Sequence, residues 1–351
     1  MHAQGQIDDL RAVSSEDRAT LRKPRVVLIG AGGTIGSLGR HALDWEYMDH
    51  GLREEPEALV ARVPEVTRET DVVTVSFRAL SSAKLGPPEW LEINELVHLV
   101  VERERPAGVV LTHGTATLEE TAYFLNLALK VAVPVVLVGS QRPANMISSD
   151  AAMNLLGALR VAGSGEARGL GVLVLLNDEI QAAREVTKAS TSRLETFRSH
   201  DLGMLGYADA DGCVAIYRRP ARRHAPDTEF DVRGRRDLPR VDIAYSYAGA
   251  DGTAIDAFVA AGARVIVTAS LAPGANTAGE LDALRAARAK GVLIIQSTRA
   301  GSGRVLPRAI FREHGFVPAD NLNPQKARVL AMLALTRTDD PREAERMFRE
   351  Y

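Results

Sequence analysis

Cysteine is nearly absent, with Cys213 the single thiol in 351 residues. One thiol closes no intrachain disulfide and supplies no multi-thiolate metal site. Charge of one sign is missing as well: 43 Lys and Arg meet 45 Asp and Glu, and the net charge is −2. That balance offers no global attraction to nucleic acid or to an anionic membrane. Long apolar runs are also lacking; no stretch approaches the roughly 20 residues of a membrane span. The opening MHAQGQIDDLRAVSSEDR carries charges where a signal peptide needs an apolar core, so the expected location is the cytoplasm.

What is present suits a globular chain. Hydrophobic residues make up 46% and charged ones 25%, and the length is comfortable for two domains. After a polar leader (1–23), short apolar runs recur at Arg25–Ile29, Gly108–Leu111, Val133–Val138, Gly171–Leu176, Val265–Thr268 and Gly291–Ile295. Continuous runs of this length read as strands buried on both faces, as in a parallel sheet. Amphipathic stretches of helical length lie between them, such as Leu118–Lys130 and Asp150–Arg160. The alternation predicts an α/β fold: a larger N-terminal domain (24–217) with a mostly parallel sheet flanked by helices, and a smaller α/β C-terminal domain (241–351), also with a parallel sheet. Arg218–Arg240 is rich in Arg and Pro and poor in aliphatics, and reads as the linker between them.

Three segments carry candidate chemistry. Gly30-Ala31-Gly32-Gly33-Thr34-Ile35 follows the first strand, where open α/β sheets bind ligands. Ile35 stands where a dinucleotide fingerprint needs glycine, and the P-loop lysine is missing. A plain strand-to-helix turn remains open for this segment alone. His113-Gly114-Thr115-Ala116-Thr117 follows another strand, and Thr117 with Glu120 has capping-box spacing, which leaves His113 and Thr115 free at the tip. No second His, Cys or carboxylate has ligand spacing to His113, so no metal is expected. Lys188 follows a buried strand among small polar residues, and a lysine turned into a cleft there would lose proton affinity and serve as a base.

Together these segments resemble the bacterial-type (type I/II) L-asparaginase/glutaminase amidohydrolases over roughly Arg25 to Tyr351. The motifs are Gly32-Gly33-Thr34-Ile35, His113 to Ala122, Val138-Gly139-Ser140-Gln141-Arg142-Pro143, the Asn177-Asp178 and Val186-Thr187-Lys188 block, and Leu322-Asn323-Pro324-Gln325-Lys326-Ala327-Arg328. The resemblance implies hydrolysis of a small amide by a threonine nucleophile, Thr34, through an acyl-enzyme. It makes Tyr47, on a lid over Arg40–Gly51, the phenol that polarises Thr34. It makes Thr115 the second catalytic threonine and Lys188 its base. Gly33, Ser82 and Gly114 fall at substrate-binding positions, and backbone amides after the second motif would form an oxyanion hole. No metal or organic cofactor is implied. The expected assembly is a homotetramer, a dimer of dimers in which a neighbour's C-terminal domain completes each site.

The departures cluster at the substrate. Ala116 stands where the family keeps an aspartate for the substrate's α-ammonium, and Ala83 replaces an assisting glutamine. Arg308 aligns with a glutamate from the neighbouring subunit, and Pro273 with an asparagine. A buried ammonium without carboxylate partners is costly, so the expected substrate is an amide, lactam or lactone lacking a free α-amino group. Arg308, Lys84 or Arg142 would meet its carboxylate. The alternatives are a low-efficiency L-asparaginase and a non-catalytic small-ligand binder on the same scaffold.

Overall fold

The computed structural model describes residues 23–351, so the polar leader, apart from Lys23, lies outside the described residues. Ten strands belong to the N-terminal part: β1 (Arg25–Gly32), β2 (Asp71–Leu80), β3 (Gly108–Thr112), β4 (Val135–Val138), β5 (Val172–Leu176), β6 (Glu179–Ala182), β7 (Thr187–Lys188), β8 (Phe197–Arg198), β9 (Gly206–Ala208) and β10 (Val214–Ile216). Eight of them form one sheet in the order β10-β9-β6-β5-β4-β3-β1-β2. Pairs from β2 through β5 are parallel, and the turn back at β6 starts an antiparallel flank. β7 and β8 make a separate small hairpin.

The apolar runs become the central strands because both of their faces are covered. Val27, Ile29, Val109, Leu111, Val135 and Leu137 face one core with the helices Pro87–Glu104 and Leu118–Ala128. Val26, Leu28, Val110, Val136 and Val138 face another core with the helix Ala151–Gly163. β2 and the helix Pro87–Glu104 were not anticipated. β2 is an edge strand whose apolar residues alternate: Val73, Val75 and Phe77 pack inward, while Thr74 and Ser76 bond Glu57 and Glu55. A search for continuous apolar runs passes over such a strand.

The C-terminal part is a four-stranded parallel sheet, β11 (Val241–Tyr245), β12 (Val265–Ser270), β13 (Leu293–Thr298) and β14 (Phe316–Pro318), in that order. One face carries the helices Thr253–Ala260 and Ala278–Ala289. Val265, Val267, Leu293 and Ile295, on the other face, join the core that contains Val27 and Leu111. The helix Pro324–Ala334 lies between that face and the N-terminal helix Leu118–Ala128. The two units therefore share one apolar core.

The segment between them has no regular structure and is firmly attached. Phe230 and Val232 are buried, and Phe230 packs on the Tyr351 ring at 4.9 Å. Lys130 donates to the Thr228 carbonyl at 2.6 Å, and the Ala225 amide to the Asn126 carbonyl at 2.8 Å. Its arginines pair with carboxylates, Arg218 with Glu185, Arg222 with Asp320 and Arg223 with Glu350.

Candidate active site

The site begins where β1 and β3 end side by side. The chain leaves β1 toward β2 on one flank, while β3 occupies the other, so the two loops part at a switch point of the sheet. Gly33 has φ 91°, and a Cβ there would stand 2.5 Å from the amide nitrogen of Gly114. Only glycine allows the two turns to touch in this way. Thr34 and Thr115 are the next residues on each turn.

Thr34 is half-buried at the head of the short turn Thr34–Gly36, whose Ile35 is sunk in the core. Its Oγ1 lies 2.9 Å from the Tyr47 hydroxyl. Burial pushes the Tyr47 phenol up from its ordinary range against the opposing Thr34 contact, with a smaller upward push from Asp150. Tyr47 is therefore a neutral phenol at neutral pH. Its loop is tied at several points: the buried Asp44 carboxylate accepts from the amides of Arg40 and Glu46, and Asn145 brackets Gly39 through both its amide and its carbonyl.

The second turn is held from beneath. Trp90 Nε1 donates to Thr121 Oγ1, which lies 2.9 Å from His113 Nε2. The Gly114 carbonyl, 2.8 Å from His113 Nδ1, can only accept, so the neutral imidazole carries its proton on Nδ1 and the Thr121 hydroxyl gives its own to Nε2. Desolvation holds the wholly buried imidazole at a pKa of about 4. His113 thus braces the turn from inside the core, where the sequence had suggested a free group at the tip.

Thr115 meets Lys188 from the β7–β8 hairpin: Lys188 Nζ lies 2.6 Å from Thr115 Oγ1 and 3.2 Å from Gln141 Oε1. The ammonium also sits 5.9 Å from the Phe197 ring centre. Burial lowers the lysine's pKa. A lysine with reduced proton affinity touching a hydroxyl can draw off that hydroxyl's proton.

Ser82 joins the same cluster, since a Cβ at Gly114 would stand 2.6 Å from its Oγ. The expected capping box at Thr117 does not form. Its hydroxyl instead donates to the Ser82 carbonyl at 2.8 Å, tying the Ser82 turn to the Thr115 turn, and Glu120 faces Arg328 at 4.0 Å. Ala116 and Ala83 are exposed at this surface. Lys84 is exposed, and Arg142 donates to the Ser148 carbonyl at 2.6 Å. Arg308 is not brought to this cluster within the chain: it is exposed in the C-terminal part, over the Phe311 ring at 5.7 Å. Pro273 lies on that side too, since a Cβ at the adjoining Gly274 would stand 3.4 Å from the Phe311 ring.

Gln141 was quoted only as part of a motif, and Glu119 only by its place in one. The first touches Lys188 Nζ, and the second accepts from the Lys188 amide. Among the described residues, no group of three or more His, Cys, Asp or Glu stands where it could hold a metal ion. No helix among the described residues is long and apolar enough to cross a membrane.

Comparison with known proteins matches residues 25–222 to the family model for the asparaginase N-terminal domain, and 240–348 to that for the glutaminase/asparaginase C-terminal domain. The chain is 39% identical to a glutaminase-asparaginase of Pseudomonas fluorescens biotype A, over 97% of this chain and 94% of that protein. It is 37% identical to L-asparaginase 2 of Bacillus subtilis strain 168, over 99% and 91% of the two. The crystal structure of a probable cytoplasmic L-asparaginase from Campylobacter jejuni superposes with a TM-score of 0.89 at 37% identity, covering 94% of this chain and all of that one.

Proposed function

From the premise that the chain belongs to the asparaginase family, and so is an amidohydrolase acting on C–N bonds other than peptide bonds, we propose that it opens a small amide lacking a free α-amino group with Thr34 as nucleophile. The observation that carries the reading is the pair of hydroxyl contacts, Thr34 to Tyr47 and Thr115 to Lys188, set on two turns that touch at Gly33 and Gly114.

In this reading Thr34 Oγ1 attacks the amide carbonyl, the C–N bond breaks, and ammonia leaves with the proton it gains. Water then cleaves the acyl-enzyme. Tyr47, a half-buried phenol that is neutral at neutral pH, polarises the Thr34 hydroxyl and does not act as the final base. Lys188, acting through Thr115, takes the Thr34 proton and returns it to the leaving nitrogen. Gly33 and Gly114 let the backbone approach the reacting carbonyl, and Ser82 takes a substrate carboxylate. Ala116 and Ala83 offer an α-ammonium neither a charged partner nor a side-chain hydrogen bond, which works against L-asparagine. A dicarboxylic acid monoamide such as succinamic acid fits. Arg308 is assigned to a neighbour's site in a homotetramer, with a cytoplasmic setting.

A second reading, a true L-asparaginase of low efficiency, is favoured by the names of the relatives. The test is ammonia release from L-asparagine, L-glutamine and succinamic acid, with acid-quenched intact-protein mass spectrometry to catch the acyl adduct. Efficient turnover of L-asparagine with succinamic acid ignored overturns the specificity. A protein that binds these amides and never acylates is a binder on the scaffold.

A further inference from the structure

Glu119 is an acid 5% exposed, in the first turn of the helix Leu118–Ala128. Its Oε1 accepts from Thr187 Oγ1 at 3.0 Å, from the Lys188 amide at 3.3 Å and from Gln325 Nε2 at 3.3 Å. Its Oε2 accepts from Asn323 Nδ2 at 2.9 Å, with Lys326 Nζ 4.0 Å away. Lys326, 2% exposed, turns its ammonium onto the carbonyls of Arg184, at 2.9 Å, and Val186. The strand leading to Lys188 is therefore gripped twice, at its carbonyls by Lys326 and at its amide by Glu119.

Asn323 connects this grip to the C-terminal unit. Its Oδ1 caps the helix Pro324–Ala334 by accepting from the Lys326 amide at 3.0 Å, while its Nδ2 serves Glu119. Burying an acid and an ammonium together is expensive, and apolar residues of equal volume commonly hold two helices as well or better. Lys326 shows the strain, with burial lowering its pKa to about 8 against the pull of Glu119. Helix packing alone gives no reason for these charges. Fixing the backbone ahead of Lys188 does.

We propose that Glu119, braced by Asn323 and Lys326, is a positioning residue that sets Lys188 against Thr115 and so makes the C-terminal unit part of its own chain's active site. The proposal rests on Lys188 being the base. The charged groups facing this stretch are Glu119 and Glu120 from their helix, Arg184 and Glu185 ahead of β7, and Lys326 and Arg328 from the C-terminal helix.

The experiment uses full-length Asn323→Ser, Glu119→Gln and Lys188→Met, with ammonia release from the better of L-asparagine and succinamic acid. Serine keeps a helix cap and withdraws the amide from Glu119, so Asn323→Ser leaves the fold intact even where Glu119→Gln weakens it. Both positioning variants are expected to lower kcat about tenfold or more with KM within about twofold. The acid limb of their kcat profile moves to higher pH, because a loosened Lys188 regains water and with it proton affinity. Added to Lys188→Met, neither change costs anything further, since both act through the lysine.

A folded Asn323→Ser protein with the parent's kcat and pH profile overturns the proposal, as does a loss that adds in full to that of Lys188→Met. If Lys188→Met keeps full activity, or neither amide releases ammonia, the reading of the site fails and this inference fails with it.

Discussion

Thr34 and Thr115 leave neighbouring strands of one sheet, yet their partners come from opposite kinds of structure. Tyr47 arrives on a surface loop whose Trp45 and Met48 are 76% and 72% exposed. Lys188 arrives on a hairpin gripped by buried side chains from both halves of the molecule. The first contact sits on an exposed segment, and the second is held by buried groups. In the proposed function that difference separates the tasks: the loop side would admit and cover substrate, while the core side would keep the base at a set distance from a hydroxyl, where small misplacements are expensive.

The sharpest way to break the comparison is at the base. Lys188→Met is expected to cut kcat by about a hundredfold to ten-thousandfold, the usual range for a general base, with little change in melting temperature. With Lys188 as the proposed base, the parent's activity is expected to rise with pH through the lowered pKa of that lysine, whose neutral amine would be the active form. Methionine removes that rise. Pre-steady-state ammonia release across pH checks both.

The rigid side also carries an acid weakness. His113 titrates near 4 in the fold, against 6.5 for an unburied imidazole. Its contribution is complete above pH 6.5 and is lost as pH falls toward 4, because the unfolded chain takes up a proton that the native state refuses. The loss amounts to about 3 kcal/mol. Guanidinium unfolding at pH 7 and pH 4.5, compared between the parent and His113→Asn, checks it. The variant starts less stable and falls less steeply; equal slopes would sink the assignment.

What could be read from the sequence follows the same division. The central strands were legible because burial on two faces leaves a continuous apolar run, and the two turns because their glycines and threonines are local in the chain. β2 escaped because it is an edge strand with one wet face. Thr117 had the spacing of a cap, but spacing cannot show that the Ser82 carbonyl competes for its hydroxyl. The support of Lys188 was illegible for a different reason: Glu119 and Asn323 are 204 residues apart, and only packing of the second unit on the first brings them together. Arg218–Arg240 read as a linker by composition, and composition could not show that its Phe230 and Val232 pack into the core.

On the loop side, Tyr47→Phe keeps the ring and removes the hydroxyl from Thr34. A drop in kcat of about tenfold to a hundredfold is expected, smaller than at Lys188, because Tyr47 polarises and does not take the proton. Its pH profile keeps the parent's acid limb, which belongs to the lysine. A profile that moved with Tyr47→Phe would place the titrating group on the loop and reverse the comparison.

The smallest change expected is also the one that speaks to substrate. Ala116→Asp sets a carboxylate beside Thr115 at an exposed position, which the proposed function assigns to the substrate's α-ammonium. An exposed, partly screened charge pair contributes about 1 kcal/mol, so kcat/KM for L-asparagine relative to succinamic acid should rise by about fivefold to tenfold. The same carboxylate stabilises protonated Lys188, so the acid limb of the rate profile moves to higher pH. The lysine effect acts on both substrates alike and cancels in their ratio, so relative rates at pH 7, where the α-ammonium of L-asparagine is charged, isolate the selectivity gain, and the gain fades as that ammonium loses its proton at alkaline pH. If Ala116→Asp leaves the ratio unchanged at pH 7, Ala116 does not face the substrate's α-carbon, and the preference must be sought among the loop's exposed apolar residues.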